Sequence, residues 1–339
     1  MPRQILAFAL IVICGWGCSS GNSTPPTSPK GTPTTSTQPT KKYRIAVIPK
    51  GTTHEFWKSV HAGAERAAKE IGNVEVVWKG PLLENDRDGQ ISIVQNFVVG
   101  KVDGIVLAPL DSQALVPAVQ EARDAKIPVL IFDSGLDDAD STVSYVATDN
   151  YRGGVLAGEH LGKLLEGKGG VIMLRYAVGS ESTEQREKGF LDTIKQKFPD
   201  IEILSDNQYS GTTPETSLDK SQQLLAQFGD KVTGIFTVCE PNTTGMLGAL
   251  EEKGLAGKVK FIGFDPSPRF LEAMREKKIH GIVLQDPVAM GYQGVKAIMR
   301  HIAGETVDKR IPTGEYLATP ENMDEPEMKK LLAPEQFGE

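Results

Sequence analysis

The chain reads as an α/β protein built from two similar, doubly wound parallel-sheet lobes. Three observations predict this. From Tyr43 onward, short apolar runs of buried-strand type alternate with amphipathic helical stretches. The alternation comes twice, and the halves echo each other: Val102-Asp103-Gly104-Ile105-Val106 is matched 130 positions later by Val232-Thr233-Gly234-Ile235-Phe236, and Ile131-Phe132-Asp133 is matched 132 positions later by Gly263-Phe264-Asp265. The length of 339 residues suits two domains at about 100–200 residues each.

The first residues stand apart from this pattern. Residues 1–16 carry one positive charge, Arg3, and then an apolar run over 5–14, too short to span a bilayer and right for the apolar region of a secretory signal. Gly15-Trp16-Gly17-Cys18 resembles a bacterial lipoprotein cleavage site, with Gly15 where an apolar residue is usual. The expectation is a signal peptide over 1–17 and a lipidated Cys18; ordinary secretory cleavage nearby is the alternative. Residues 19–42 hold 5 Ser, 7 Thr and 5 Pro, a composition that cannot build a core, so 18–42 reads as lipidated cysteine plus extended tether. Removing Cys14 and lipidating Cys18 leaves Cys239 alone, with no intramolecular disulfide.

In the body, strands are expected over 44–49, 74–78, 104–109 and 128–133, with helices over 55–71, 88–100 and 112–125. Phe56, Val60, Ala64, Ala67, Ala68 and Ile71 share one face of the first helix. The second half supplies strands over 170–174, 202–204, 234–238, 259–264 and 281–285, and helices over 183–198, 215–228, 243–253 and 288–303. Asp133 and Asp265 then stand at the C-terminal ends of equivalent parallel strands, the end that faces the ligand crevice in open α/β sheets.

Composition narrows the function. A formal net charge of −7 with no Lys/Arg-dense stretch argues against nucleic-acid binding. The five histidines show no metal-ligand spacing, so no metal and no cofactor are expected. Residues 162–169 mimic a phosphate-binding loop, but Gly169 replaces the hydroxyl residue that would hold magnesium, and the stretch reads as a helix end and turn. No nucleophile elbow or spaced Cys/His pair argues for catalysis, so the reading is a non-enzyme. Lys50, Thr53 and His54 after the first strand, with Phe56-Trp57 opening the first helix, place aromatic faces beside polar groups, a combination that suits a sugar. One of the two aromatics is expected to be core packing, since adjacent helix residues point about 100° apart.

With these residues in view, the chain resembles the periplasmic sugar-binding proteins of the ribose-binding type, type I substrate receptors of ABC importers. The resemblance covers Tyr43 to about Leu317 and rests on residues 46–57, 104–111, 147–150, 186–190, 263–265 and 284–287 together. It implies an N-terminal lobe of 43–148 plus about 287–313, and a C-terminal lobe of 149–286 plus about 314–339, joined by a hinge with the ligand in the cleft between them. It also places His54, Phe56 and Trp57 on the N-terminal side of the cleft, with Asp133 accepting from sugar hydroxyls. Arg186 would donate from the C-terminal lobe, Asp265 would accept there, and Gln285 at a crossing would do both. Tyr209 falls near a position where the family often has an aromatic wall.

Three positions depart from the pattern. Ser134 stands where the ribose binder has an arginine, Cys239 where the family usually has asparagine, and Lys50 where the ribose binder has a small hydroxyl residue. Losing an arginine and an amide puts ribose itself in doubt. Lys50 reads as a solvated strand-end charge, or, with His54, as a feature favouring an acidic or modified sugar. The resemblance implies a monomeric lipoprotein of the periplasm or cell envelope that captures a small carbohydrate for an ABC permease in the inner membrane. The alternative is a sugar-sensing receptor docking on a membrane kinase or chemoreceptor.

Overall fold

Strands whose every residue is buried need a sheet covered on both faces, and Gly104–Leu107, Val129–Phe132 and Gly281–Leu284 are of this kind. The computed structural model describes residues 41–333 and contains two such sheets. The signal segment, Cys18, all but the last two residues of the tether, and the C-terminal six residues lie outside the described residues.

The first half runs β1 (Tyr43–Ile48), α1 (Glu55–Ile71), β2 (Val74–Trp78), α2 (Arg87–Val99), β3 (Gly104–Leu107), α3 (Val116–Asp124), β4 (Val129–Phe132) and β5 (Tyr145–Ala147). After α4 (Asn150–Leu164) the second half repeats the order: β6 (Gly169–Leu174), α5 (Glu181–Lys197), β7 (Ile201–Ser205), α6 (Pro214–Phe228), β8 (Val232–Thr237), α7 (Glu240–Glu252), β9 (Lys260–Phe264), α8 (Pro268–Arg275) and β10 (Gly281–Leu284). The chain closes with α9 (Pro287–Ile302), β11 (Arg310–Pro312), β12 (Tyr316–Ala318) and α10 (Pro326–Leu332). Sheet orders are β11-β5-β4-β3-β1-β2 and β12-β10-β9-β8-β6-β7, the same winding twice. Every pairing is parallel except β10 with β12.

Alternate residues of each strand feed opposite faces, as a period of two requires. In the first lobe Ile45, Val47, Val106, Leu130 and Phe132 pack with α1 and α9, while Ala46, Ile48, Ile105, Leu107 and Ile131 pack with α2 and α3. In the second, Val171, Met173, Phe236 and Val283 face α4 and α5, and Ile172, Leu174, Ile235 and Leu284 face α6, α7 and α8.

The lobes exchange helices. α4 follows β5 of the first sheet yet packs on α5 of the second lobe, and α9 follows β10 of the second sheet yet packs on α1 of the first. Each exchanged helix is capped by an aspartate: Asp149 Oδ1 accepts from the Arg152 amide at 2.9 Å, Asp286 Oδ1 from the Ala289 amide at 2.8 Å. Each also crosses its partner glycine to glycine. A Cβ on Gly63 would stand 2.0 Å from the Val288 carbonyl oxygen and one on Gly291 1.9 Å from that of Val60; Gly154 and Gly189 make the same crossing between α4 and α5. Three segments connect the lobes: 148–149, 285–286, and 313–315 between β11 and β12.

The two helix starts that differ most from the sequence reading, those of α3 and α7, do so for local reasons. Residues 112–115 form a turn before α3, its Gln113 and Ala114 amides donating to Asp111 Oδ1 at 3.0 and 2.8 Å. α7 begins at Glu240 because Pro241, which has no amide to lose, fits its first turn. Residues 162–168 are the end of α4 and the turn after it, and Gly169 opens β6.

Candidate functional site

β4 and β9 each end in a phenylalanine followed by an aspartate with left-handed backbone, φ 61° at Asp133 and 64° at Asp265. Aspartate is among the few non-glycine residues that adopt this region readily. Each amide donates to the next strand, Asp133 to Val146 O at 3.0 Å and Asp265 to Val283 O at 2.9 Å. Both side chains are thereby aimed at one small cavity between the lobes, of about 40 Å³.

The first lobe's wall holds Lys50, His54, Phe56, Trp57 and Asp133, with Glu84 from the loop after β2. Glu84 is buried and accepts from Trp57 Nε1 at 2.7 Å, from His54 Nδ1 at 2.8 Å, and across the cleft from the Tyr176 hydroxyl at 3.0 Å. Burial works against both charges of the His54–Glu84 pair, but their mutual attraction and hydrogen bond outweigh it. His54 is pushed up to about 9 and Glu84 down to about 2, so imidazolium and carboxylate persist together at neutral pH. Trp57 is the packed aromatic, edge-on to Phe132 in the core, and Phe56 lies edge-on to it at the cavity wall.

Lys50 is not a solvated strand-end charge. It is 3% exposed, its ammonium 3.3 Å from Asp133 Oδ2 and donating to the Ser180 and Ser182 hydroxyls at 3.2 and 3.0 Å. The loop after β1 thus places a cation beside Asp133. Ser134 itself does not line the cavity; its hydroxyl accepts from the Ser182 amide at 3.0 Å.

The second lobe contributes Arg186, Cys239 and Asp265, and the crossing contributes Gln285. Arg186 is anchored through Nε to Asn150 Oδ1 and through Nη1 to Val238 O, both at 2.9 Å, with its guanidinium 3.9 Å over the Phe264 ring. It lies 4.0 Å from Asp265 Oδ2. Burial pushes the Asp265 carboxyl up to about 6, and Arg186 only partly opposes it. Gln285 Nε2 donates to Asp265 Oδ1 at 2.7 Å, while its Oε1 is buried with no partner. Cys239 donates its thiol to Asn242 Oδ1 at 2.9 Å, and burial pushes the thiol well above its ordinary range, so it is a neutral wall.

Tyr209 is not among the residues lining this cavity; it lies beside Arg175 in an isolated bridge, its ring 4.6 Å under that guanidinium. Glu84, Tyr176, Ser182, Thr183, Glu240 and Pro241 line the cavity without having been expected. Tyr176 had a signal: it follows β6 by two residues as Lys50 follows β1, so the repeat points to it. The loop that carries Glu84 has its counterpart between β7 and α6, but Gly211 stands at the matching place there, so the repeat does not point to Glu84. Among the described residues no cluster of His, Cys, Asp or Glu could hold a metal ion, and no helix is long and apolar enough to cross a membrane.

Residues 45–306 match the family model of the periplasmic binding protein domain. The chain belongs to that family. Its relatives are the ribose-type sugar-binding components of ABC importers. It is 28% identical over 275 residues to the D-ribose/D-allose-binding protein of Pseudomonas aeruginosa, covering 78% of this chain and 84% of that one. A carbohydrate transporter solute-binding protein from Agrobacterium radiobacter, solved with D-arabinose, superposes with a TM-score of 0.82 at 35% identity, over 86% of this chain and 99% of the other. An ABC transporter solute-binding protein from Agrobacterium vitis with bound D-fucose gives the same TM-score and identity, over 85% and 99%. The two parallel-sheet lobes are the family's architecture.

Proposed function

We propose that this protein captures a small neutral carbohydrate between its lobes and presents it to an ABC permease, held at the membrane through a lipidated Cys18. The observation that carries this reading is the cavity's supply of hydrogen-bonding groups from both lobes. Asp133 and Asp265 accept from opposite sides, Arg186 retains N–H groups beyond its two anchors, and the buried Gln285 Oε1 needs a donor that the protein does not provide. A sugar hydroxyl both donates and accepts. Neutrality follows from the charges. Lys50, His54 and Arg186 each face a protein carboxylate, Asp133, Glu84 and Asp265, and Glu240 adds a fourth at the wall. A uronic acid would bring a further negative charge to a site whose cations are already matched.

Calorimetry with D-ribose, D-allose, D-arabinose, D-fucose and D-galacturonic acid tests this. Neutral sugars should bind, and Asp133→Ala and Asp265→Ala should each lose roughly ten- to hundredfold in affinity, the size of a charge-assisted hydrogen bond. Unchanged affinity in both variants would place the ligand elsewhere, and tighter binding of the uronic acid would overturn neutrality. Cys18→Ala should leave the membrane fraction after a high-salt wash; retention there would refute the anchor.

A further inference from the structure

We propose that Lys50 is a latch between the lobes, holding the cleft shut through the Ser180 and Ser182 hydroxyls rather than reading the sugar. This rests on the cleft being a sugar site that opens and closes. An ammonium has three N–H groups, and three protein oxygens stand within 3.3 Å of this one: Ser180 Oγ, Ser182 Oγ and Asp133 Oδ2. Lys50 and Asp133 follow β1 and β4 of the first lobe, whereas Ser180 and Ser182 belong to the N-terminal turn of α5 in the second. Opening the cleft would break the two serine bonds and leave the pair with Asp133 intact.

The position is built for this contact. A cation beside a helix N-terminus is opposed by the helix dipole, so the buried ammonium depends on the carboxylate and the two hydroxyls. The same turn of α5 docks on residues 134 and 135 through backbone groups: the Ser182 amide donates to Ser134 Oγ, and the Gly135 amide donates to Glu181 Oε2 at 2.8 Å. Lys50 is therefore a positioning residue. It sets how often the lobes are shut, and through Asp133 Oδ2 it orients the carboxylate that faces the cavity.

The test is small-angle scattering of the full-length protein without sugar, comparing wild type, Lys50→Met and the double variant Ser180→Ala/Ser182→Ala. The double variant keeps the Lys50–Asp133 pair, so it isolates the contact across the cleft and leaves no carboxylate unpaired. Both should scatter with a larger radius of gyration than wild type at unchanged far-ultraviolet circular dichroism. The closed-to-open ratio should fall roughly tenfold per lost bond to the ammonium. With D-arabinose as probe, all three should reach one compact radius, the variants needing correspondingly more sugar. A wild-type radius in both variants overturns the latch. So does opening by Lys50→Met alone, which would mean that Lys50 acts only through Asp133. Failure of D-arabinose to bind would count against the sugar reading and leave the sugar-free comparison standing.

Discussion

The His54–Glu84 pair makes folding stability depend on pH in a way that can be isolated. In the folded chain His54 is held at about 9 against 6.5 for an ordinary histidine, because Glu84 at 2.8 Å outweighs the cost of burial. Above the unfolded value the native state keeps a proton that the unfolded chain has released. The His54 contribution is therefore complete below 6.5 and lost as pH rises through 9. A displacement from 6.5 to about 9 is worth about 3 kcal/mol at roughly 1.36 kcal/mol per pH unit. The lowering of Glu84 from 4.5 to about 2 is the same interaction seen from its partner, and it is lost only as pH falls through 2. Urea unfolding of wild type and His54→Gln at pH 6.5, 7.5, 8.5 and 9.5 measures it. Other groups that titrate on unfolding, such as Glu187 and Asp265, cancel in the difference. Wild type should exceed the variant most at pH 6.5, and the gap should narrow by about 3 kcal/mol by pH 9.5. A gap independent of pH would mean that His54 is neutral in the folded protein and that the ion pair does not exist.

The helix crossings give a second expectation. Gly291→Ala would drive a Cβ to 1.9 Å from the Val60 carbonyl and should destabilise by about 1–3 kcal/mol or more. Gly248→Ala in α7, where the nearest atom is 3.4 Å away, should stabilise by about 0.5–1 kcal/mol in the same denaturation experiment. A third expectation concerns binding. Because burial sets Asp265 at about 6, its acceptor charge is lost below that pH, so affinity for a bound neutral sugar should fall between pH 7.5 and 5. In Asp265→Asn that dependence should vanish, which calorimetry at the two pH values would show.

How much of this molecule was legible depended on whether the signal was local. α1 and β2 fall where the apolar spacing put them, because a 3.6-residue stripe and a run of valines are read within one element. β5, β11 and β12 have three residues each, too short for any periodicity. The exchange of α4 and α9 between lobes could not be read from either helix alone. It is written in paired glycines, Gly63 with Gly291 and Gly189 with Gly154, whose meaning appears only once the helices cross. The site divides in the same way. Asp133 and Asp265 were visible because duplication put one residue type at one strand end twice, and the shared left-handed turn supplies the structural reason. Glu84 was not, since the matching loop of the second lobe has Gly211 in its place, and its role comes from Trp57, His54 and a tyrosine 92 residues away. Lys50 shows the limit most plainly. A lysine after a strand is ordinarily solvated, and here Asp133 and two serines brought in from the opposite lobe, 130 and 132 residues along the chain, hold its charge inward. Residues that face a ligand from a repeated scaffold can be read from the repeat. Residues that bind one lobe to the other become legible only when the lobes meet.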